Sequence, residues 1–516
     1  MRDIGASAQS MTDRPAELTV APVASETGQA SPGVAVGVFV GAVHIDGGRE
    51  IPRTAFALVI ERVLGKEAAT NDLQALARAI ATEARRQGYI FASAMIPEQT
   101  ISAGTITVKL DAGSVDSVRI TGSNSARLRR TLDLIVGPAV RTETMERQLL
   151  LAGDIPGISI DSTRYAREAG GNVLIVEARE NRHSGFVGLD NHGPRDSGPA
   201  RLRLRYDMTG LIDDDRLTVQ VLATPTQPAE LAYASVRYAR AIGTKGTEIG
   251  AAVALGQTKP GDRTAAMRLS GKSAYGAIFV NHPIVRSTRA SLWANAELAL
   301  LRVEQDVGGV AVQRDEIATL TLSATGTVRA MGGRLWAGAG IVQGLGFAGT
   351  TPAGDPMASR FDGSARFTKG FFWADWTGGL GRGFSLRLAS NGQLASRPLL
   401  AAQEIGLGGP YFGRGYDFSE RFGDNGLLGL AELRRQFDKP VKGVNWLQLY
   451  GFVDGGYIEN LTNSYGDGAL ASAGGGFRAM LGRTEIGVEA GIPLGEPRYD
   501  SGNKAPRINL SVGHNF

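Results

Sequence analysis

The chain has 516 residues, enough for two or three domains, with 55 Lys and Arg against 51 Asp and Glu. A net charge of +4 over this length forms no concentrated basic face, so nucleic acid is not expected as a partner. Because the chain has no Cys, a disulfide framework and a Cys nucleophile are excluded. The mean hydropathy is −0.08 and no run of about 18 apolar residues is present, which excludes transmembrane helices.

Glycine accounts for 70 residues, about twice its average usage of roughly 7 per cent. A Gly-rich chain of near-zero mean hydropathy is typical of a transmembrane β-barrel, because each strand turns an apolar face to lipid and a polar face to the lumen. A soluble all-β protein is the alternative.

Residues 1–33 are polar, rich in Ala, Ser, Thr and Pro, and without apolar periodicity. They are predicted to form an N-terminal tail or linker. They also lack a basic segment followed by an apolar segment, so no secretory signal is visible. Since a barrel needs such a signal to reach its membrane, we expect that it was removed or that the start is misassigned.

Residues 34–112 predict a first small α+β domain. An apolar run at 34–45 and the turn Asp46-Gly47-Gly48 precede a helical pattern that ends near Gly65. A second helix is predicted at 71–87, with Asn71 as N-cap and Gly88 as C-cap. Strands at 90–96 and 105–110 follow.

Residues 113–182 repeat this order of strand, helix, helix, strand and strand. The predicted strands lie at 115–120, 158–166 and 172–178, and the helices at 125–134 and 141–152. Two copies of a unit of about 70 residues indicate an internal repeat of one α+β domain.

From residue 183 to residue 516 the helical periodicity is gone and strands repeat. At 201–208 the odd positions include Arg201, Arg203 and Arg205, whereas the even positions are apolar. Three arginines on one face of a strand need water or counter-charges there, as a wet lumen or a solvent-exposed sheet provides. The length suits about 16 strands of about 10 residues with their connections.

A motif in the first α+β unit resembles the first polypeptide-transport-associated (POTRA) domain of TpsB transporters, the haemolysin and filamentous haemagglutinin secretion family. It consists of Gly88-Tyr89-Ile90-Phe91-Ala92-Ser93-Ala94-Met95-Ile96-Pro97-Glu98-Gln99 followed by Gly104. The second unit is similar to that family's second POTRA domain. The resemblance singles out Gly88, Tyr89, Pro97, Gln99 and Gly104.

Two motifs in the strand-rich part resemble those of the superfamily that also contains the BamA insertases. Gly413-Arg414-Gly415-Tyr416 is similar to its loop motif, and Phe452-Val453-Asp454-Gly455-Gly456 to its barrel-strand motif. The resemblance implies that a loop around residues 405–426 folds back into the lumen, where Arg414 pairs with Asp454. Gly413 stands where a branched aliphatic residue is usual. The alternative is a Gly-rich surface turn with a solvated Arg.

The C-terminal Phe516 resembles the signal by which barrel proteins are recognised for assembly. His514 occupies a position where an aromatic residue is more typical. A terminal strand of any β protein can end in Phe, so this signal carries weight only together with the other motifs.

Residues for catalysis or cofactor binding are not evident. The five His have no metal-ligand spacing, no Gly-x-Ser-x-Gly elbow exists, and Gly344 to Gly349 match a dinucleotide pattern without a following helix. The run Asp213-Asp214-Asp215 is interpreted as a hydrated turn rather than a calcium site. We therefore expect no enzyme, no cofactor and no metal.

The expected fold class is a transmembrane antiparallel β-barrel of about 16 strands, preceded by two small α+β POTRA domains. The resemblance implies an outer-membrane transporter that recognises an unfolded, TpsA-like secreted partner in the periplasm and translocates it to the cell surface. Outer-membrane lipid and the barrel assembly machinery are the other expected partners. A BamA-like assembly factor is the alternative, and a passive porin or a soluble β adhesin would leave the two repeats without a role.

Overall fold

The structure is a computed structural model that describes residues 37–101, 103–212 and 214–516. The predicted tail at 1–33 and Asp213 lie outside the described residues. The chain divides into two compact units between Asn181 and Arg182, one residue before the predicted start of the barrel domain. Within the described ranges, no helix is both long and apolar enough to span a bilayer.

The first unit begins with a small α/β fold whose sheet order is β2–β5–β4. Its elements are β1 (Val38–Phe39), β2 (Ala42–Gly47), α1 (Ala57–Glu61), β3 (Glu67–Ala68), α2 (Thr70–Arg86), β4 (Ser93–Met95) and β5 (Thr105–Asp111). Strand β2 runs parallel to β5, and β4 runs antiparallel to it. The helices cover one face of this sheet, where the apolar side chains of the core meet: Phe56, Leu76, Ile80, Ile106 and Val108.

Helix α2 shows why the predicted boundary differs from the observed one. The predicted N-cap Asn71 is wrong, because the helix begins at Thr70 and Ala69 is the capping position. The Asp72 carboxylate accepts a hydrogen bond from Ala69 N at 2.9 Å, which satisfies a backbone donor that the helix leaves free. Gly88 follows the helix with φ of +95°, a conformation that favours glycine.

The second half of this unit repeats the same topology, with sheet order β6–β8–β7. Its elements are β6 (Ser117–Thr121), α3 (Ala126–Leu132), α4 (Thr142–Gly153), β7 (Ile158–Glu168) and β8 (Gly171–Glu180). Strand β6 is parallel to β8, and β7 is antiparallel to it. In both halves the first strand of the three-stranded sheet therefore pairs in parallel with the last, which is the internal repeat that the element order predicts.

The two halves share buried contacts. Phe91, which follows α2, is buried in the core of the second half, and its ring stacks on Tyr165 of β7 with 3.9 Å between ring centroids. Burial there raises the pKa of the Tyr165 phenol, whose hydroxyl donates to Ser114 O at 3.1 Å. Thr142 donates its amide and its hydroxyl to Gly88 O. These contacts join the halves into one packed body.

The second unit is a closed antiparallel barrel of sixteen strands within the described residues. They are β9 (His183–Asp190), β10 (Arg201–Thr209), β11 (Asp215–Ala223), β12 (Leu231–Ile242), β13 (Thr247–Thr258), β14 (Leu269–Arg286), β15 (Ala290–Val307), β16 (Val310–Ala330), β17 (Gly333–Leu345), β18 (Thr368–Gly381), β19 (Phe384–Ala395), β22 (Asn425–Asp438), β23 (Trp446–Glu459), β24 (Gly468–Leu481), β25 (Thr484–Pro493) and β26 (Arg507–Asn515). The predicted fold class is confirmed.

Alternation along each strand sorts side chains between the outer wall and the lumen. On β10, Leu204 is 41% exposed on the outer wall, whereas Arg203 turns to the lumen side, where its Nη2 lies 3.0 Å from Asp190 Oδ2. The carboxylate supplies the counter-charge that the arginine face needs.

The first and last strands close the barrel. Strand β26 pairs with β9 from Ser511↔Asp190 to Asn515↔Phe186. Phe516 extends this pairing, because its amide and its carbonyl each bond to the backbone of Gly185 at 3.0 Å. A Cβ at Gly185 would lie 2.2 Å from the Phe516 ring, so the terminal aromatic ring packs where a glycine leaves space.

Candidate functional site

The connection between β19 and β22, residues 396–424, is the candidate site, and we call it the lumen loop. It contains the short hairpin of β20 (Ile405–Leu407) and β21 (Arg421–Gly423). Leu407 and Tyr416 are fully buried against Leu428 and Ile458, whose strands β22 and β23 form the wall. The loop therefore lies inside the barrel, packed on the wall.

Arg414 stands at the tip of the lumen loop and is 3% exposed. Its Nε lies 2.9 Å from Asp454 Oδ2, its Nη2 lies 2.9 Å from Glu432 Oε2, and its Nη1 lies 2.6 Å from Glu489 Oε2. The guanidinium also stacks over the Phe452 ring at 3.6 Å. Arg414, Asp454, Glu432 and Glu489 form what we call the tip cluster. It joins the loop to three wall strands: β22, β23 and β25.

Further polar side chains of the wall support the tip cluster. Arg434 Nε lies 2.6 Å from Glu432 Oε1, and Arg478 Nη1 lies 3.2 Å from the same oxygen. Tyr450 donates to Glu489 Oε2 at 3.0 Å, and the Ser472 hydroxyl donates to Asp454 Oδ1. Because the wall supplies both carboxylates and cations, the buried charges are compensated.

Glycines let the loop tip approach the wall. A Cβ at Gly415 would lie 2.8 Å from the Ile492 carbonyl carbon and from Pro493 N, so any side chain there would collide with the backbone of β25. Gly413 has φ of +79°, a left-handed conformation that a branched aliphatic residue cannot adopt without strain. The departure from the usual motif at residue 413 thus matches the backbone of this tip.

A second cluster holds the base of the lumen loop, and we call it the neck cluster. Arg360, in the connection between β17 and β18, directs Nη1 to Glu404 Oε1 at 2.6 Å, to Asp424 Oδ1 at 2.9 Å and to Asn460 Oδ1 at 2.9 Å. The fully buried Asp424 also accepts from the amide of Leu399. Three connections between strands therefore meet at one guanidinium.

The descending limb of the loop contacts both sides of the barrel closure. Asp417 Oδ1 lies 2.6 Å from Arg507 Nη1 on β26, and Asp417 Oδ2 accepts from Arg195 N, just after β9, at 3.1 Å. Nearby, Glu420 Oε1 accepts from Tyr499 N at 2.7 Å. The lumen loop is thus anchored at its tip, its limb and its neck.

The remaining barrel residues named from sequence also lie in or beside close contacts. A Cβ at Gly455 would lie 2.2 Å from Leu470 O, and a Cβ at Gly456 would lie 2.6 Å from Leu427 O. Tyr416 donates its hydroxyl to Glu496 O at 3.1 Å. The structure brings Arg414, Asp454, Phe452 and Gly415 together, whereas Phe516 lies at the seam between the first and last strands.

The POTRA motif residues occupy structural positions in the first unit rather than a single pocket. Tyr89 is buried, and its hydroxyl donates to Glu50 O at 3.3 Å. Gln99, two residues after Pro97, bonds through its side chain to both the amide and the carbonyl of Thr107 at 2.8 Å. Gly104 has φ of +71°, and a Cβ there would lie 2.9 Å from Gly41 N.

Sequence reasoning missed Glu432, Glu489 and Arg360. The first is part of the alternation Leu430, Glu432, Arg434 on β22, so a lumen-facing carboxylate can be recognised once the phase of that strand is known. Glu489 lies on a strand that is not adjacent to β23, and Arg360 lies in a loop. Neither has a local sequence signal.

The chemistry of the site is that of a guanidinium held by carboxylates, which is strong, directional and reversible. No group of three or more potential metal ligands occurs in the part of the chain that the structure describes. The arrangement can hold a loop inside a pore and release it, since the contacts between the loop tip and the wall are ion pairs and hydrogen bonds.

The fold and the site define a class: an outer-membrane β-barrel with an inward-folded loop, preceded by POTRA-type α/β units. The family model described as "Haemolysin secretion/activation protein ShlB/FhaC/HecB" matches residues 170–479, and the ShlB-type POTRA domain model matches residues 38–113. The chain belongs to this family. It is an outer-membrane two-partner secretion transporter, with its POTRA domains in the periplasm, as the sequence predicts.

Individual relatives are distant. The chain is 24% identical over 426 residues to the heme/hemopexin transporter protein HuxB of Haemophilus influenzae, covering 80% of this chain and 74% of that protein. CdiB from Escherichia coli superposes with a TM-score of 0.75 at 17% identity, covering 95% of this chain and 93% of that one. BamA from Haemophilus ducreyi, with a TM-score of 0.56 at 13% identity, shares the fold alone.

Proposed function

We propose that the chain captures its unfolded secreted partner at the POTRA sheets and passes it through the barrel lumen once the tip of the lumen loop leaves the wall. The tip cluster carries this proposal, because Arg414 and its carboxylates hold the loop inside the pore that a translocating chain would use. This is a transport role rather than a catalytic one, with folding of the partner outside the cell as the driving force.

The capture step is assigned to a free sheet edge. Strand β7 has 11 residues and pairs only with β8 within the described residues, so its other edge offers unpaired backbone donors and acceptors. An extended polypeptide can add to such an edge as a further strand. We propose that the cargo is a TpsA-like polypeptide, as membership of the secretion family suggests. The related HuxB is named for heme/hemopexin transport, but that name does not identify the cargo of this chain.

We propose that the first POTRA domain is also needed for capture, because its Phe91 packs on Tyr165 of β7, and deletion of residues 36–112 tests this role. We expect the barrel to remain inserted and heat-modifiable on gels, because it is a compact unit of its own, while export of the partner is lost. Normal export by this variant would exclude the assigned role of the first POTRA domain.

A finer test uses the edge of β7. Thr163→Pro and Arg164→Pro each remove one backbone N–H of β7. Because successive N–H groups of a strand point to opposite edges, one of these two donors faces β8 and the other, the outer donor, faces the free edge. The variant that loses the outer donor should stay folded and export less of the partner. If that folded variant exports normally, strand addition at β7 is excluded.

A further inference from the structure

An arginine lies on the outer wall of the barrel, where a membrane protein presents apolar side chains. On β22, Arg435 shares the outward face with Leu433, whereas Arg434 and Glu432 are buried on the lumen side. Its register partner Leu449 is 47% exposed on the same outer face. Arg435 is therefore a cation on the lipid-facing surface.

The surroundings of Arg435 are aromatic. Its guanidinium carbon lies 5.1 Å from the centre of the Phe384 ring and 4.8 Å from that of the Phe437 ring. In contrast to Arg434, which pairs with Glu432, Arg435 has no ion pair with a carboxylate in the described ranges. A cation on a lipid-facing wall is costly unless it reaches a counter-charge. Because no carboxylate of the described residues supplies it, a group outside the protein can fill this role.

Arg435 lies close to the periplasmic rim, because the barrel chain starts at β9 directly after the periplasmic POTRA domains and β22, as the twelfth of the alternating strands, ends on the periplasmic side. It stands three residues before the end of β22 and is the register partner of Phe384, the first residue of β19. Its neighbour Gln436 donates its amide to Gly383 O, in the turn before β19, at 2.9 Å. Because an arginine side chain is long, its head can reach the level of the lipid headgroups from this position.

Further cations surround this position in two adjoining turns. Arg382 lies in the turn before β19, and Lys439 and Lys442 lie in the turn after β22, all three exposed and without an ion pair in the described part of the chain. Between the two lysines, Val441 is 62% exposed. The carboxylate of this turn, Asp438, accepts from Gln436 Nε2 at 2.7 Å. Arg435, Arg382, Lys439 and Lys442 form what we call the rim cation group.

We propose that the rim cation group binds the phosphate group of an anionic phospholipid in the periplasmic leaflet. Arg435 would contact the phosphate, its aromatic neighbours the upper acyl region, and the turn cations the remaining negative charge. An acidic segment of the transported partner is a less suitable occupant, because Arg435 faces away from the lumen. The proposal depends on the membrane orientation and not on how the partner is captured.

The test reconstitutes the full-length protein in vesicles of phosphatidylcholine, with and without phosphatidylglycerol. We expect phosphatidylglycerol to raise the midpoint of heat unfolding, and Arg435→Gln to lose most of this rise. Native mass spectrometry should show about fivefold less retained phosphatidylglycerol, the effect of removing one interfacial cation. An unchanged rise or unchanged retention in this variant overturns the proposal.

Arg240→Gln is the matched control. Arg240 is exposed on the outward face two residues before the end of β12, but its register partner on β11 is Asp215. We expect its response to phosphatidylglycerol to stay normal, and an equal loss in both variants would overturn a specific site. If Arg435→Gln does not assemble, Lys439→Gln with Lys442→Gln replaces it, since both residues lie in an exposed turn.

Two further arms distinguish other anions. Inorganic phosphate added to phosphatidylcholine vesicles should not raise the midpoint, and a rise equal to that with phosphatidylglycerol would show a free-phosphate site instead. Reduced export by Arg435→Gln together with an unchanged lipid response would assign the cations to the transported partner and overturn the proposal.

Discussion

At the scale of residues, Arg414 makes more ion pairs than the resemblance of the loop and strand motifs implies. The expected pair with Asp454 is one of three ion pairs, so the two partners of that pair are not equivalent. Loss of Asp454 leaves Arg414 with Glu432 and Glu489. Loss of Arg414 leaves Asp454 and Glu489 without their ion pair to the loop, while Glu432 keeps Arg434 and Arg478.

We therefore expect Arg414→Ala to change secretion and single-channel conductance more than Asp454→Ala, because it removes all three ion pairs between the loop and the wall. Breaking a buried ion pair costs about 3 to 5 kcal/mol when it is screened from water, and less in a wet lumen. The double substitution should be little worse than Arg414→Ala alone, because the residues act together. Arg387→Ala, which breaks a lumen pair with Asp375 outside the loop, is the control. Additive losses would contradict this coupling.

The glycine next to Arg414 offers a second test at this scale. Gly415→Ala places a methyl group 2.8 Å from the backbone of Ile492 and Pro493, so the loop tip has to move away from the wall. We expect an assembled barrel with higher conductance and a lumen loop that external protease cleaves faster. Gly429→Ala on β22 is the control, since a Cβ there meets nothing within 4 Å. Equal effects of the two substitutions would exclude this role of Gly415.

At the scale of elements, alternation along strands and the strand-helix-helix-strand-strand order could be predicted, because each depends on neighbours in the chain. The contacts of Phe91 could not be predicted. The sequence motif around Phe91 indicates a POTRA domain, but it does not show that this ring lies in the core of the next domain. Likewise, Glu489 meets Arg414 only because β25 curves round to the loop, and barrel curvature is not a property of any one strand. Contacts between distant elements are therefore what sequence reasoning missed.

The position of Phe91 predicts that the two POTRA halves unfold together. Phe91→Ala removes a ring that stacks on Tyr165 and fills the second core, so the stability of fragment 37–181 should fall by about 3 to 5 kcal/mol. Phe39→Ala, at a ring that is 57% exposed on β1, should change it little. Chemical unfolding monitored by circular dichroism measures both variants. Equal losses of stability in the two variants would show that the packing of Phe91 against the second half does not specifically stabilise the fragment.

At the scale of the whole barrel, the lumen loop is a separate element with three attachments to the wall and to other loops. The tip and neck clusters share no side chain among the described residues: outside the lumen loop, the tip cluster uses β22, β23 and β25, whereas the neck cluster uses the β17–β18 and β23–β24 connections. The loop can leave the lumen only when the ion pairs and hydrogen bonds that hold it to the wall and to the other loops are broken. The free energy of displacement should then be a sum over independent clusters.

This additivity predicts the behaviour of Arg360→Ala and Arg414→Ala in planar bilayers. Each substitution should raise the fraction of time spent in the high-conductance state, because each removes a guanidinium that holds the loop. In the double variant the two fold-increases in the ratio of open to closed time should multiply. The increases caused by Arg414→Ala and Asp454→Ala, which lie within one cluster, should not. If the double variant opens no more often than Arg414→Ala alone, the neck cluster does not oppose displacement of the loop, and the tip cluster alone controls the pore.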